Sequence, residues 1–222
     1  MSETNFTYKS NVIGIPLVTI ILIWIIYFIE IKLGLNFNNY GIYPKSIVGL
    51  RGIILSPFIH SDATHLFNNS IPLAVMLGCL YYFYQKIANK VLFIGLLTTG
   101  LLTWIIGRPS YHIGASGIIY LLVSFVFFSG IFRKYYRLIA LSLAVVFLYG
   151  SMVWYIFPTE ERISWEGHLS GFVTGFMLAF LYRRKGPLPQ KFIFTKNEEF
   201  EMLFDEEGNF SPPEPVVEEE NE

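Results

Sequence analysis

Only four histidines occur in the 222 residues, and three of them stand where an apolar run begins. His60 and His65 flank the start of a run near residue 66, and His168 opens the last run. A serine, Ser116, opens another inside the tetrapeptide Gly114-Ala115-Ser116-Gly117. A serine hydroxyl is a poor nucleophile at neutral pH unless a base removes its proton during attack, and imidazole is the usual base. Acyl transfer also needs donors aimed at the oxygen that becomes negative, and the side-chain amide of Asn69 is such a donor. Each piece alone has a plainer reading. A Gly-x-Ser-Gly in an apolar helix lets helices approach closely, and a histidine at a helix end sits readily at a membrane interface.

The spacings draw the pieces together. His65 and Asn69 are four apart and share one helix face, as do Ser116 and Tyr120. His168, Gly171, Gly175 and Ala179 form one stripe, whose glycines allow the last helix to press against the helix of Ser116. Two carboxylates, Asp62 and Glu166, lie near the pair in sequence and are candidates for a third catalytic member. Glu166 is expected to point away from His168 on a helix, while Asp62 or Thr64 is placed to cap the helix that follows. His112 reads as a solvated or interfacial residue, and Trp104, Trp154 and Trp165 as interface or core residues.

These residues need elements to hold them, and the composition says which. Hydrophobic residues make up 53% of the chain and charged residues only 15%, well under the quarter usual in soluble proteins. Six apolar runs lie near residues 12–29, 66–84, 91–106, 115–132, 138–157 and 168–182, predicting six membrane-spanning helices. The first is too long for the apolar region of a signal peptide, and no small-x-small cleavage site follows it. Loop charges set the orientation: Lys9, Lys86, Lys90, Arg133, Lys134, Arg137, Arg183, Arg184 and Lys185 lie on one side. Opposite them are Lys32, Lys45, Arg51, Arg108 and Arg162. Nine basic residues against five put both termini in the cytoplasm. Runs 2, 4 and 6 then all begin on the outer side, so His65, Ser116 and His168 fall at similar depths, about 5–10 Å below that surface.

The net charge of −1 hides an asymmetry. From Gly186 onward two lysines meet eleven acids, a net of −9, and the first 185 residues carry fourteen basic against six acidic residues, a net of +8. Residues 186–222 therefore read as an acidic, disordered cytoplasmic tail, after a cytoplasmic start over 1–10 and a six-helix domain over 11–185. The basic residues are spread over short loops, which excludes a nucleic-acid face. The single Cys79 excludes an intrachain disulfide.

With its motifs in this order, the chain resembles the rhomboid intramembrane serine proteases. The match rests on His60-x4-His65-x3-Asn69, on Gly114-Ala115-Ser116-Gly117 followed by Tyr120, and on His168-x2-Gly171-x3-Gly175. It covers roughly residues 10 to 185. The resemblance implies an all-α polytopic membrane protein, a six-transmembrane-helix bundle of rhomboid type in the cell membrane. It makes Ser116 the nucleophile and His168 the general base, with Asn69, His65 and the Ser116 amide as the oxyanion hole. Tyr120 would stack on His168 as its orienter, and His60 would brace the loop above. The implied partners are transmembrane protein substrates and the lipid bilayer; no metal or cofactor is called for. Many rhomboids carry a Trp-Arg pair in the first loop, whereas this chain has Leu50-Arg51, leaving Arg51 to brace that loop. No seventh helix follows. Two other readings stand beside this one. An inactive relative that binds transmembrane clients should lack the serine or the histidine, and a small transporter should show broken helices or midplane charges.

Overall fold

The computed structural model describes residues 10–148, 154–158, 160, 163–187 and 197–211. Lys9 and Arg162 of the charge count, and most of the acidic tail, lie outside the described residues. The chain divides into two units, Met1–Pro189 and Gln190–Glu222.

Among the described residues six long helices build the first unit: α1 (Asn11–Lys32), α2 (Ala63–Phe83), α3 (Ala88–Ile106), α4 (Ser116–Arg133), α5 (Tyr136–Leu148) and α6 (Trp165–Leu181). The first four are long and apolar enough to cross a bilayer. α6 has 17 residues, about 25 Å of rise, and α5 is described over 13, so the set is compatible with six spans. No strand occurs among the described residues, only two isolated bridges.

Local chemistry sets the ends. Asp62 caps α2, its carboxylate accepting the His65 N–H at 2.8 Å. α3 starts three residues before its apolar run, because Asn89 and Lys90 take exposed places in the first turn. α4 ends on Lys134 in the left-handed region, φ 55°, and α5 starts two residues later. The helix of His168 begins at Trp165 and not at the histidine, which puts Glu166 inside its first turn.

α4 is the middle of the bundle, packed on α6, α5 and α2, while α1 packs mainly on α2. The α4–α6 contact depends on missing side chains. A Cβ on Gly171 would run into the Gly117 carbonyl oxygen, and one on Gly175 would lie 2.8 Å from the Phe125 nitrogen. At the far end of this pair Arg133 is buried and donates to the carbonyls of Tyr182 and Lys185, closing the last turn of α6.

Between α1 and α2 the chain makes short helical turns at Asn38–Tyr40, Val48–Arg51, Gly52–Leu55 and Ser56–Phe58. Main-chain bonds pair Ile42 with His112, at 3.0 and 2.8 Å, and Trp104 Nε1 donates to the Ser46 carbonyl at 2.9 Å. Ile47, Val48, Ile54 and Leu55 remain exposed on this segment, the dress of a segment that lies in lipid.

In the second unit Asn197 caps the single turn Glu198–Glu201, and Phe204 packs between Phe200, tilted against it, and Phe210, edge-on to it.

Candidate active site

Ser116 is the first residue of α4, so its N–H has no carbonyl to bond within the helix. Its Oγ lies 2.8 Å from Nε2 of His168, which sits on the first turn of α6. The other ring nitrogen, Nδ1, is 2.9 Å from the Tyr155 carbonyl oxygen. A carbonyl can only accept, so Nδ1 carries the proton in the neutral ring and Nε2 is free to accept from Ser116. Tyr120, one turn below Ser116, stacks on the imidazole with ring centroids 4.3 Å apart and planes 14° apart. The imidazole is thus held edge-on by a backbone carbonyl and flat by a phenol ring.

The loop before Ser116 is shaped by glycine. Gly114 has φ +101°, and a Cβ there would lie 2.6 Å from His65 Nε2 and 3.5 Å from Asn69 Nδ2. Only glycine takes this conformation at low cost, and its bareness leaves room for both side chains over the loop. Asn69 is buried, and its Nδ2 has no hydrogen-bond partner, a costly state for an amide donor unless a ligand completes it. The Gly114 N–H donates to Ser56 O at 2.9 Å, and the Ala115 N–H to His60 Nε2 at 3.4 Å. Burial pushes the His60 imidazole down to about 3, with His65 nearby adding to the effect, so His60 is a neutral acceptor.

His65 faces the same space with its proton arranged against donation. The Ser61 hydroxyl donates to Asp62 at 2.7 Å, so it accepts from His65 Nδ1 at 3.2 Å. In the neutral ring Nε2 is then bare, and it donates only when the imidazole is protonated. The Asp62 carboxyl stays below its usual range because the His65 N–H and Ser61 hydroxyl bond to it.

Other sequence-singled residues fall elsewhere. Arg51 donates to the Asn39 carbonyl at 2.9 Å and lies 4.3 Å over the Tyr40 ring, bracing the first loop and not the dyad. Gly117 abuts the main chain of Gly167, 3.3 Å from where a Cβ would stand. Neither carboxylate touches His168. Asp62 is an N-cap, and Glu166 turns toward Arg108.

His112 is not the solvated residue its loop position suggests. It is 3% exposed, with Nδ1 2.6 Å from Ser164 Oγ and Nε2 3.2 Å from the Arg108 carbonyl. Burial lowers its pKa. Below it a cavity of about 30 Å³, lined by Ser116, Thr99, Thr103, His112 and Gly167 among others, has room for one or two waters. The Thr99 hydroxyl that lines it has no protein partner.

An all-helical membrane bundle with a serine and a histidine hydrogen-bonded at the ends of two abutting helices defines the class. Residues 49–185 match the rhomboid domain, and the chain belongs to the rhomboid family. It is 34% identical over 174 residues to an uncharacterized protein of Mycobacterium tuberculosis, covering 72% of this chain and 70% of the relative. An uncharacterized protein of Mycobacterium leprae is 31% identical over 196 residues, 81% of this chain and 75% of that one.

Proposed function

We propose that this chain is an intramembrane serine endopeptidase that hydrolyses peptide bonds in or beside transmembrane segments of membrane proteins. The observation that carries the reading is the 2.8 Å contact between Ser116 Oγ and a His168 ring whose proton is held on Nδ1 by Tyr155. In the first step Nε2 takes the Ser116 proton as Oγ adds to the substrate carbonyl carbon. The resulting oxyanion is met by the Ser116 N–H and by Asn69 Nδ2, and by His65 Nε2 when that ring is charged. Each such donor contributes roughly 2.7–4 kcal/mol in related acyl-transfer chemistry. The imidazolium then protonates the leaving amine, and the peptide bond breaks to an acyl-enzyme. Water from the cavity beside Ser116 loses a proton to Nε2 as it attacks the ester, and Ser116 is released with its proton restored.

The substrates are single-pass proteins whose segment unwinds near its outer end. Backbone groups cannot be left unpaired in lipid, so the scissile stretch leaves its helix for the protein-lined site. The protein lies in the cell membrane with both termini in the cytoplasm, from the excess of basic residues in the loops on that side. Residues 11–185 are the protease domain, and residues 186–222 form a cytoplasmic appendage.

The test is a fluorophosphonate probe with a reporter transmembrane substrate, applied to wild type, Ser116→Ala and His168→Ala in detergent. Labelling and cleavage by the wild type alone are expected, with both variants at least about 10⁴-fold slower. A folded wild type that neither labels nor cleaves would leave a client-binding rhomboid in place of the enzyme.

A further inference from the structure

Glu166 is the most deeply buried carboxylate among the described residues, 1% exposed, and the dyad chemistry makes no use of it. Burying a charge is costly unless it is paired and hydrogen-bonded. Its bonds show where the pairing goes. Oε1 accepts the Arg108 N–H at 3.1 Å and lies 3.7 Å from Arg108 Nε. The Arg108 guanidinium donates onward to the Ile163 carbonyl at 2.6 Å. His112, whose Nδ1 is 4.0 Å from Glu166 Oε2, accepts from Ser164 at 2.6 Å.

All these links cross between the same two pieces of chain. Arg108 and His112 belong to the loop that runs into Ser116. Ile163, Ser164 and Glu166 belong to the turn that starts α6 and, two residues on, delivers His168. The close approach of Gly171 and Gly175 to α4 fixes the two helices below the dyad, and this polar cluster fixes the two loops beside it. We infer that Glu166 and Arg108 are positioning residues for the catalytic pair, setting the separation of Ser116 from His168 without touching either. Glu166 thus serves the dyad through the main chain of the opposite loop and not as the third member of a triad. The inference rests on the proposed hydrolytic function. Misplacement of reacting groups by about 1 Å costs on the order of 100-fold in rate, which sets the scale of the effect.

The experiment compares wild type, Glu166→Gln, Glu166→Ala and Arg108→Ala at equal folded concentration in detergent. It follows reporter cleavage, fluorophosphonate labelling rate, and the ¹⁵N resonances of the His168 ring. Glu166→Gln keeps an oxygen for the Arg108 N–H, so a loss of about tenfold or less is expected. Glu166→Ala and Arg108→Ala should fall by roughly 10–100-fold in kcat with KM within twofold, and the His168 Nε2 signal should move toward that of a ring without its serine bond. A folded Glu166→Ala enzyme that labels at the wild-type rate with an unchanged His168 resonance overturns the inference. Equal losses in Glu166→Gln and Glu166→Ala with KM rising in parallel overturn it too, and Glu166→Gln with Arg108→Ala decide the matter if Glu166→Ala does not fold. An inert wild type refutes the protease reading instead, and the His168 spectra still judge the positioning role.

Discussion

The Tyr155 carbonyl oxygen and His168 Nδ1 are 2.9 Å apart, a main-chain group holding the ring that faces Ser116. A carboxylate in that place would stabilise the imidazolium by its charge. A carbonyl offers only a dipole, so the tautomer is fixed while the ring's charging is assisted less. Tyr120, stacked on the opposite dimension of the ring, removes its rotation. The ring is oriented well and its charged form is stabilised modestly, so under the proposed mechanism more of the burden falls on the groups that meet the oxyanion.

Asn69 should therefore matter more than His65. Asn69 Nδ2 is buried and unpaired, whereas His65 Nε2 is bare in the neutral ring. Asn69→Ala is expected to lower kcat by about 10²–10³-fold with little change in KM. His65→Ala should cost less at pH 8, with the gap between the two narrowing at lower pH. Single-turnover kinetics on both variants at two pH values check the order.

Acid should destabilise the fold through His60 and His112. Burial lowers the pKa of both, His60 to about 3, while an unfolded histidine titrates near 6.5. Protons then bind the unfolded chain first, so stability is full above about pH 6.5 and falls as pH drops toward about 3. Thermal melts between pH 8 and pH 4 should show this decline, and His60→Gln should flatten it.

Gly171→Ala places a methyl against the Gly117 main chain. Overpacking of this kind costs about 1–3 kcal/mol. The larger effect is expected on chemistry, because α6 can accommodate the methyl only by moving away from α4 and taking His168 with it. At equal folded concentration, fluorophosphonate labelling should fall at least tenfold. A labelling rate equal to wild type would show that the helices yield elsewhere.

Deleting the chain after Gly186 should leave intrinsic cleavage within about twofold. The Arg133 bonds that close α6 end at Lys185 and survive the cut. With the tail on the cytoplasmic side, as proposed from the loop charges, its charge acts over a Debye length of about 8 Å in physiological salt, against a hydrocarbon core of about 30 Å. Turnover of full-length and truncated protein in liposomes measures it, and a tenfold loss with an unchanged melting temperature would contradict it.

Much of the bundle was legible because long apolar runs write themselves into a sequence. The serine and histidine were legible because polar side chains at the mouths of such runs need a reason. The start of α6 was not, since Glu166 and Gly167 break the apolar run although the helix already includes them. Tyr155 was hidden because its contribution is a carbonyl, which every residue carries. His112 was misread for a related cause. Its partner Ser164 is 52 residues away, and nothing in the loop around it announces burial. Long-range polar pairs of this kind have no period to betray them.

Position 114 admits a vocabulary of one. Any side chain there would be strained at φ +101° and would stand in the space beneath His65 and Asn69. Every replacement of a glycine adds at least a methyl, so no gradual drift leads away from it while that space is in use. Most lipid-facing positions of the helices carry no such demand and tolerate exchange of one apolar residue for another, Gly171 and Gly175 at the α4–α6 contact excepted. On the proposed function, a descendant that stopped hydrolysing and kept only the fold would be released at this residue early. The identity at the place of Gly114 is accordingly a compact test of whether a relative, the mycobacterial proteins included, still keeps its site open for a substrate.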